Sequence, residues 1–488
     1  MKIQTFFMLA LALVGVELLS YFSWRYPVLG VFSWVVITGL IFWTALVRPD
    51  IALGAVMAEL VLGGKGYLLT LPIGNADISI RMGIFLAVLT AWALTALRNR
   101  SFWGTQQSFR WFWLGIIGIA VWATLVGMLR GHAPGDIFDD ANAFLFLGLA
   151  PAFGLLRTRD QLLHIFYWMG ASVVVLALET GMTQGLYAHL PSTSLTLLYK
   201  WIRETGVGEV TYIIGHLYRV FFQSHIYGLF GFFVGVGLAL AQPKRRWLWT
   251  AVAASGAFVV VVSLSRSFWL GGLAAAGIGL FALIARRSFR IYLGRATFFS
   301  ALALLTAYVG FIWSINFPGL WGGGGGGGAG ALIQSRSDVQ TESAASSRRE
   351  LLPVITHAFF DHPFTGSGFG TALTFKSKDP RVNATKQPGG TLYTTTAFEL
   401  GYHGFALQFG LPLVILFLLF VGYILKRGGT LLRFESSDQP LVAGIWLALF
   451  ALCVLHLTTP YLNHPLGFGF LFVGAASFVL LDPRYAKR

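Results

Sequence analysis

The chain has 488 residues, of which 56% are hydrophobic and 11% charged, well under the roughly 25% charged residues of a soluble domain. That composition excludes a water-soluble fold. The net charge of +15 does not point to nucleic acid, because the basic residues sit in short links between apolar runs instead of gathering on one polar face.

Crossing the hydrocarbon core takes about 20 apolar residues. In chain order, such segments are expected at 4–23, 27–47, 51–72, 82–97, 111–129, 138–156, 162–180, 217–241, 247–263, 267–285, 296–316, 401–425, 440–458 and 465–481. The pattern predicts an all-α polytopic membrane protein of about 12 to 14 transmembrane helices. The first stretch follows a single Lys2 and lacks a small-residue cleavage site, so it reads as an anchor that stays in the protein. Cys453 is alone in an apolar run, which leaves no disulfide within the chain.

Alternate links carry Arg48; Arg98, Arg100 and Arg110; Arg157 and Arg159; Lys244, Arg245 and Arg246; Arg286, Arg287, Arg290 and Arg295; and Lys426, Arg427 and Arg433. The positive-inside rule assigns these links, and both termini, to the cytoplasm. The two long links, at 181–216 and 317–400, are then expected on the outer side. The organisation is eleven helices over 1–316, a long loop over 317–400 and three helices over 401–488.

The long loop opens on Trp321 and the run Gly322 to Gly328. The run lacks the lysine and Ser/Thr that follow a nucleotide-binding glycine loop, so it reads as a flexible linker. In SRSDVQTESAASSRRELLPVITHAFFDHP, the residues Leu351, Leu352, Ile355, Phe359 and Phe360 recur at helical spacing, predicting an amphipathic helix at the membrane. FTGSGFGTALTF reads as a glycine-rich turn, and KSKDPRVNATKQPGG as irregular chain.

Charge appears in four places where an apolar protein should avoid it: Arg219 in HLYRVFFQSHIYG, Arg266 in SLSRSFWLGG, Arg348 with Arg349 opening the loop helix, and Glu399 with His403 in TAFELGYHGFALQFGLP. Spacing predicts that Glu399 and His403 share a helix face. Taken singly, each arginine is equally well explained as a snorkelling anchor. Together they suit a diphosphate, since guanidinium groups bind phosphate oxygens bidentately and neutralise them without a divalent metal. A nearby carboxylate or imidazole can accept a proton from an attacking hydroxyl. Other groups carry blander readings: His357 and His362 with Asp361 match no strong zinc spacing and read as solvated loop residues rather than metal ligands, His456 and His464 as lining of the bundle end, and Asp136, Asp139 and Asp140 as an acceptor-orienting cluster, with helix capping an equal account of Asp136. Glu17, Glu59 and Glu179 lie within apolar stretches and are the main support for a transport reading.

The segments YRVFFQSHIYGLFGFF, LSRSFWLGGL, RRELLPVITHAFFDHPFTGSGFG and ELGYHGFALQFGLP resemble the O-antigen polymerase and O-antigen ligase superfamily of bacterial membrane glycosyltransferases. The likeness covers roughly the second half of the chain. It implies a GT-C-like, inner-membrane protein with its long loops in the periplasm, short amphipathic helices in the larger one, and no cofactor or metal. It also implies transfer of a glycan from undecaprenyl diphosphate to a sugar hydroxyl on an acceptor glycan or lipid A core, among membrane lipids. Arg266, Arg348 or Arg349, and Arg219 then correspond to the family's diphosphate-binding arginines. Ligases carry a histidine, usually followed by asparagine, about eleven residues before a glycine-rich helix segment. Counting back from Gly410 places Glu399 there, with Tyr402 at the family's aromatic, while His403 is followed by Gly404. The base is therefore Glu399 or His403, and the departure favours a polymerase over a ligase. A lipid-linked glycan flippase or transporter and a non-catalytic scaffold are the rival classes.

Overall fold

A computed structural model describes residues 3–74, 76–316, 343–376 and 392–485. The chain runs α1 (Ile3–Arg25), α2 (Pro27–Val47), α3 (Pro49–Leu62), the hairpin β1 (Thr70–Ile73) and β2 (Ala76–Ser79), α4 (Ile80–Asn99), α5 (Arg110–Leu129), α6 (Pro134–Leu145) and α7 (Arg159–His189). Next come α8 (Thr196–Glu204), the hairpin β3 (Gly208–Ile214) and β4 (Leu217–Phe222), α9 (Ile226–Ala241), α10 (Arg246–Val262), α11 (Arg266–Ala285), α12 (Arg287–Arg290) and α13 (Leu293–Asn316). The loop contributes α14 (Ser343–Asp361) and the hairpin β5 (Leu373–Lys376) and β6 (Leu392–Thr395). The remaining helices are α15 (Gly401–Phe409), α16 (Leu411–Leu431), α17 (Gln439–Leu455) and α18 (Pro465–Leu480).

Ten helices among the described residues are long and apolar enough to cross a membrane, and α17 and α18 are shorter apolar helices. The chain is therefore a multi-pass helical membrane protein. Several expected spans end early, each for a local reason. The run 51–72 is helical only to Leu62, because Gly64 and Gly66 take positive φ and Pro72 lies in the following hairpin. The run 138–156 leaves α-helix at Phe146 for a 3-10 stretch containing Pro151, which has no N–H to donate. Residues 217–222 form a strand, consistent with the β-branched and aromatic side chains of YRVFF. The run 401–425 breaks at Gly410, whose φ is 77°. Conversely, α7 continues to His189, beyond the expected end at 180. The glycine run 322–328 and the irregular segment 377–391 lie outside the described residues.

Helices α7 and α9 occupy the centre, with 72% and 78% of their apolar windows buried, whereas α1, α2 and α11 are about one fifth buried. The outer helices expose Phe7, Leu11, Val28, Phe32, Leu273 and Phe281, side chains that would be costly in water and are at home against lipid. In α18 every residue from Leu466 to Leu480 is buried, so its length need not match the bilayer. The basic links gather at one end, pinned by ion pairs of Arg48 with Asp50 at 2.9 Å and Arg159 with Asp438 at 2.6 Å, and by a 2.7 Å hydrogen bond between His164 Nδ1 and Asp50. The long loop lies at the opposite end, called here the loop end.

The loop is attached to the bundle backbone to backbone. Ser367 N donates to Leu407 O at 2.7 Å, Gly368 N to Gln408 O at 3.0 Å and Phe369 N to Ala123 O at 2.9 Å. Gly366, Gly368 and Gly370 all have positive φ. A side chain on Gly366 would strike the backbone of Gln408 and Phe409, and one on Gly368 the backbone of Gly127. Phe369, fully buried, seats its ring against Phe144 and Phe409. Asp140 completes the seam by accepting from Gly370 N at 2.8 Å and Gln408 Nε2 at 2.9 Å. Gly368→Ala combines a left-handed conformation with a backbone clash, so it should lower unfolding stability by about 2 kcal/mol or more. Gly15→Ala, in an open helical position, should be neutral or stabilising by up to about 1 kcal/mol. Thermal unfolding of the two variants in detergent checks the contrast.

Candidate functional site

The loop helix α14 is amphipathic, but with a narrower apolar stripe than its sequence suggests. Leu351 and Ile355 are buried, while Leu352 and Phe360 are exposed. The two buried residues join Leu373, Phe375, Phe398 and Leu407 in a small core that spans α14, the β5–β6 hairpin and α15. Arg348 lies just ahead of Leu351 in sequence and Glu399 directly after Phe398. Packing of this core therefore sets arginine and carboxylate side by side, with Arg348 Nε 2.8 Å from Glu399 Oε2. The contact is an ion pair without the alignment of a hydrogen bond, since the same Nε has no geometrically acceptable acceptor.

The adjoining turn holds Arg266. Between α10 and α11 the chain reverses through Ser263, Leu264 and Ser265, and Leu264 takes φ of 48°, an unfavourable value for a residue with a branched side chain. Three contacts hold this turn. Arg219 Nε, from β4, donates to Ser263 O at 3.0 Å, and Thr458 and Thr459 donate their hydroxyls to Ser267 Oγ, each at 2.9 Å. Arg266 at the head of α11 lies close enough to Arg348 for the two charges to oppose each other. Arg219 also lies over the Phe221 ring, 4.6 Å from its centroid, and pairs with Glu209 at 3.4 Å.

Of the six residues singled out from sequence, four thus form a connected strip at the loop end: Arg219 through Ser263 to the Arg266 turn, then Arg348 and Glu399. Arg349 is exposed and makes no polar contact among the described residues. His403 is exposed on α15. The expectation that it shares a helix face with Glu399 is corrected, because α15 begins at Gly401 and Glu399 precedes its N-cap, Leu400. Neighbouring residues are turned inward: Tyr402 donates to Cys453 O at 2.9 Å and stacks edge-on against His456.

Several other candidates have structural roles. His456 is buried and His464 half-buried, and they accept from Leu462 N and Leu466 N. Asp136 does not cap α6, whose N-cap is Ala133, although as an acid in the first turn it faces the positive helix end. Asp140 is engaged by Gly370 and Gln408, so it anchors the loop. His357, Asp361 and His362 are exposed, and among the described residues no three His, Cys, Asp or Glu side chains come together to hold a metal.

One ion pair escaped the sequence reading. Arg81 binds Glu59 at 2.8 Å and Gly64 O at 2.8 Å, with both charged side chains nearly fully buried. The only signal in the sequence is a cation near the start of an apolar run, and its partner is 22 residues away across a hairpin. Magnitudes separate the two pairs. Arg348 and Glu399 are 30% and 50% exposed, a setting in which an ion pair contributes about 0–1 kcal/mol. Removing one partner of a buried pair costs about 3–5 kcal/mol. Arg81→Ala should therefore sharply lower the melting temperature in detergent, and Arg348→Ala should leave it within about 1 kcal/mol of the parent. A melting comparison of the two variants checks this.

The chain matches no known family model and no curated protein sequence, so its functional reading rests on this strip of side chains and on the motifs that compose it.

Proposed function

We propose that this protein is an inner-membrane glycosyltransferase, acting on the periplasmic side as an O-antigen or exopolysaccharide polymerase with undecaprenyl diphosphate-linked glycan as donor. The observation that carries the reading is the juxtaposition of Arg266, Arg348 and Glu399 at the loop end. Two neighbouring guanidinium groups at a membrane surface can each bind oxygens of one diphosphate. The topology fits the same reading: the basic links lie at the far end, as the positive-inside rule requires if the loop faces outward.

The chemistry is a displacement at the anomeric carbon. The acceptor hydroxyl oxygen forms a bond to that carbon, the bond to the diphosphate oxygen breaks, and undecaprenyl diphosphate leaves with the electron pair. Arg266 and Arg348 stabilise the charge that develops on the departing diphosphate, aided by Arg219, which braces the turn carrying Arg266. The hydroxyl proton passes to Glu399 or His403. In the resting arrangement Glu399 is the anion on Arg348. That weak pair opens when a diphosphate with more charge arrives, freeing the carboxylate beside the acceptor hydroxyl. The same steps serve a ligase if the acceptor is lipid A core.

The test is turnover by purified protein in liposomes with an undecaprenyl diphosphate-linked glycan, scored for longer chains. Arg266→Ala and Arg348→Ala should each lose about 10²–10³-fold. One of Glu399→Gln and His403→Ala should lose about 10²–10⁴-fold, which identifies the base. Arg349→Ala should stay near parental activity. If the unmodified protein carried the glycan across the bilayer without forming a new glycosidic bond, transport would replace transfer. A reporter fused after Asn383 should show the loop outside the cytoplasm, and a cytoplasmic signal would remove the donor chemistry altogether.

A further inference from the structure

Helices α1 and α7 lie side by side and run in the same direction. Near their starts Phe6 meets Tyr167, ring centroids 6.3 Å apart, and borders Gly170. Near the end of α1, Ser20 accepts from Trp201 and Tyr21 packs on Trp201, in the helix that follows α7. At about 1.5 Å of rise per residue, Glu17 lies some 17 Å beyond Phe6, and Glu179 some 14–18 Å beyond Gly170 and Tyr167. The two carboxylates therefore reach the same depth on adjoining helices, and their charges oppose each other.

Among the described residues neither carboxylate has a hydrogen-bonding partner. Both oxygens of Glu17 and both of Glu179 are buried and make no hydrogen bond, and Glu17 as a whole is 8% exposed. Among the described residues no cation offsets the charge of either carboxylate. Glu59 of α3 also faces Glu17, but it is taken by Arg81 at the start of α4. Helix α2 carries no charged side chain over its length. On α7, Thr180 is bonded to His225 at 2.9 Å, just before α9. Two ionised carboxylates facing each other in such a place would cost far more than the fold could bear. The simplest neutralising ligand is a proton, which two carboxylates can share.

Further buried polar groups follow on α7 toward the loop end, with Thr183 and Tyr187 on the same face as Glu179 and Gln184 turned away from it. Thr183, one turn along α7 from Glu179, is buried, Gln184 is fully buried with both amide atoms unbonded, and the Tyr187 hydroxyl is likewise buried and unbonded. Polar groups in apolar surroundings normally find partners, so the unbonded Tyr187 hydroxyl two turns along the same face from two unbonded acids is a feature to explain. We propose that Glu17 and Glu179 form a proton-binding site within the membrane, reached from the loop end past Thr183 and Tyr187. Loading the site forms one O–H bond on a carboxylate and requires no other reactant. The assignment is independent of the chemistry at the Arg266–Arg348 strip.

Infrared difference spectroscopy of the full protein in liposomes, titrated with pH, reads the site directly through the carbonyl stretch of protonated carboxyl groups. A protonated band should persist at pH 7, where an exposed glutamate with a pKa of about 4.3 is ionised. Glu17→Gln and Glu179→Gln should each remove or shift it. Absence of the band in unmodified protein at pH 7 would overturn the proposal even if neither variant folds, and so would a band that survives both substitutions. Loss of the band when sodium replaces choline in the buffer would assign the site to a metal cation instead of a proton. Tyr187→Phe should slow the deuterium shift of the band several-fold, and an unchanged rate would reject the route past Tyr187.

Discussion

A membrane protein that does chemistry at its surface must hold a polar loop in fixed register against helices whose own geometry is set by lipid. The loop here cannot do this by burial. Its core is a cluster of six buried side chains centred on Leu351, Ile355 and Phe398, too few to fix a domain independently. What fixes it is the seam at 366–370, where Gly366 and Gly368 bring loop backbone against the backbones of α15 and α5, Gly370 abuts Ile137 of α6, and the Phe369 ring enters the bundle. The break at Gly410 belongs to the same device. A side chain there would strike Phe364 and Gly366, and Leu411 N is freed to donate to Pro363 O at 2.8 Å. Loop and broken helix are each shaped to receive the other, and the position of Glu399 relative to Arg348 follows from that fit.

The charged groups divide by how firmly they are held. Arg81 and Glu59 are almost wholly buried, with a backbone carbonyl taking a further guanidinium nitrogen, which makes them part of the frame. Arg348 and Glu399 are partly exposed. Arg266 sits at a turn braced by Arg219 from β4 and by Thr458 and Thr459 from the link after α17. A fixed cation beside an exchangeable pair suits capture of an anion: one group defines where the ligand sits, and the other gives up a weak partner to join it.

How much of this could be read in the sequence depended on what each signal measures. Apolar runs report the partition of side chains, so long helices such as α1, α2, α7 and α13 were evident. They do not report backbone conformation. The same apolar average continues through the glycines after Leu62, through Pro151 and across the strand 217–222, where the helix does not. Arg266 and Arg348 were legible because a charge within or beside apolar sequence stands out by itself. Their neighbourhood was legible only as a shared end of the bundle. The Arg81–Glu59 pair was not visible, since the pairing depends on a hairpin that folds α4 back on α3. Asp140 was noticed for its charge, but its role as a seam acceptor required knowing that Gly370 would arrive from 230 residues away.

Depth supplies the remaining distinction. The cations of the strip lie at helix ends and turns, where water and lipid headgroups meet the protein and a guanidinium keeps its charge at little cost. Glu17 and Glu179 lie within helices that cross the hydrocarbon, where an unpaired charge costs several kcal/mol or more. A protein built only to bind a diphosphate at its surface has no need of acids at that depth, and lipid-facing architecture gives them no stabilising partner. Their presence in line with Thr183 and Tyr187 implies a ligand of the interior that is small enough to need no cavity. A proton meets that requirement, and the loop-end course of the polar row connects it with the same side of the membrane as the arginines.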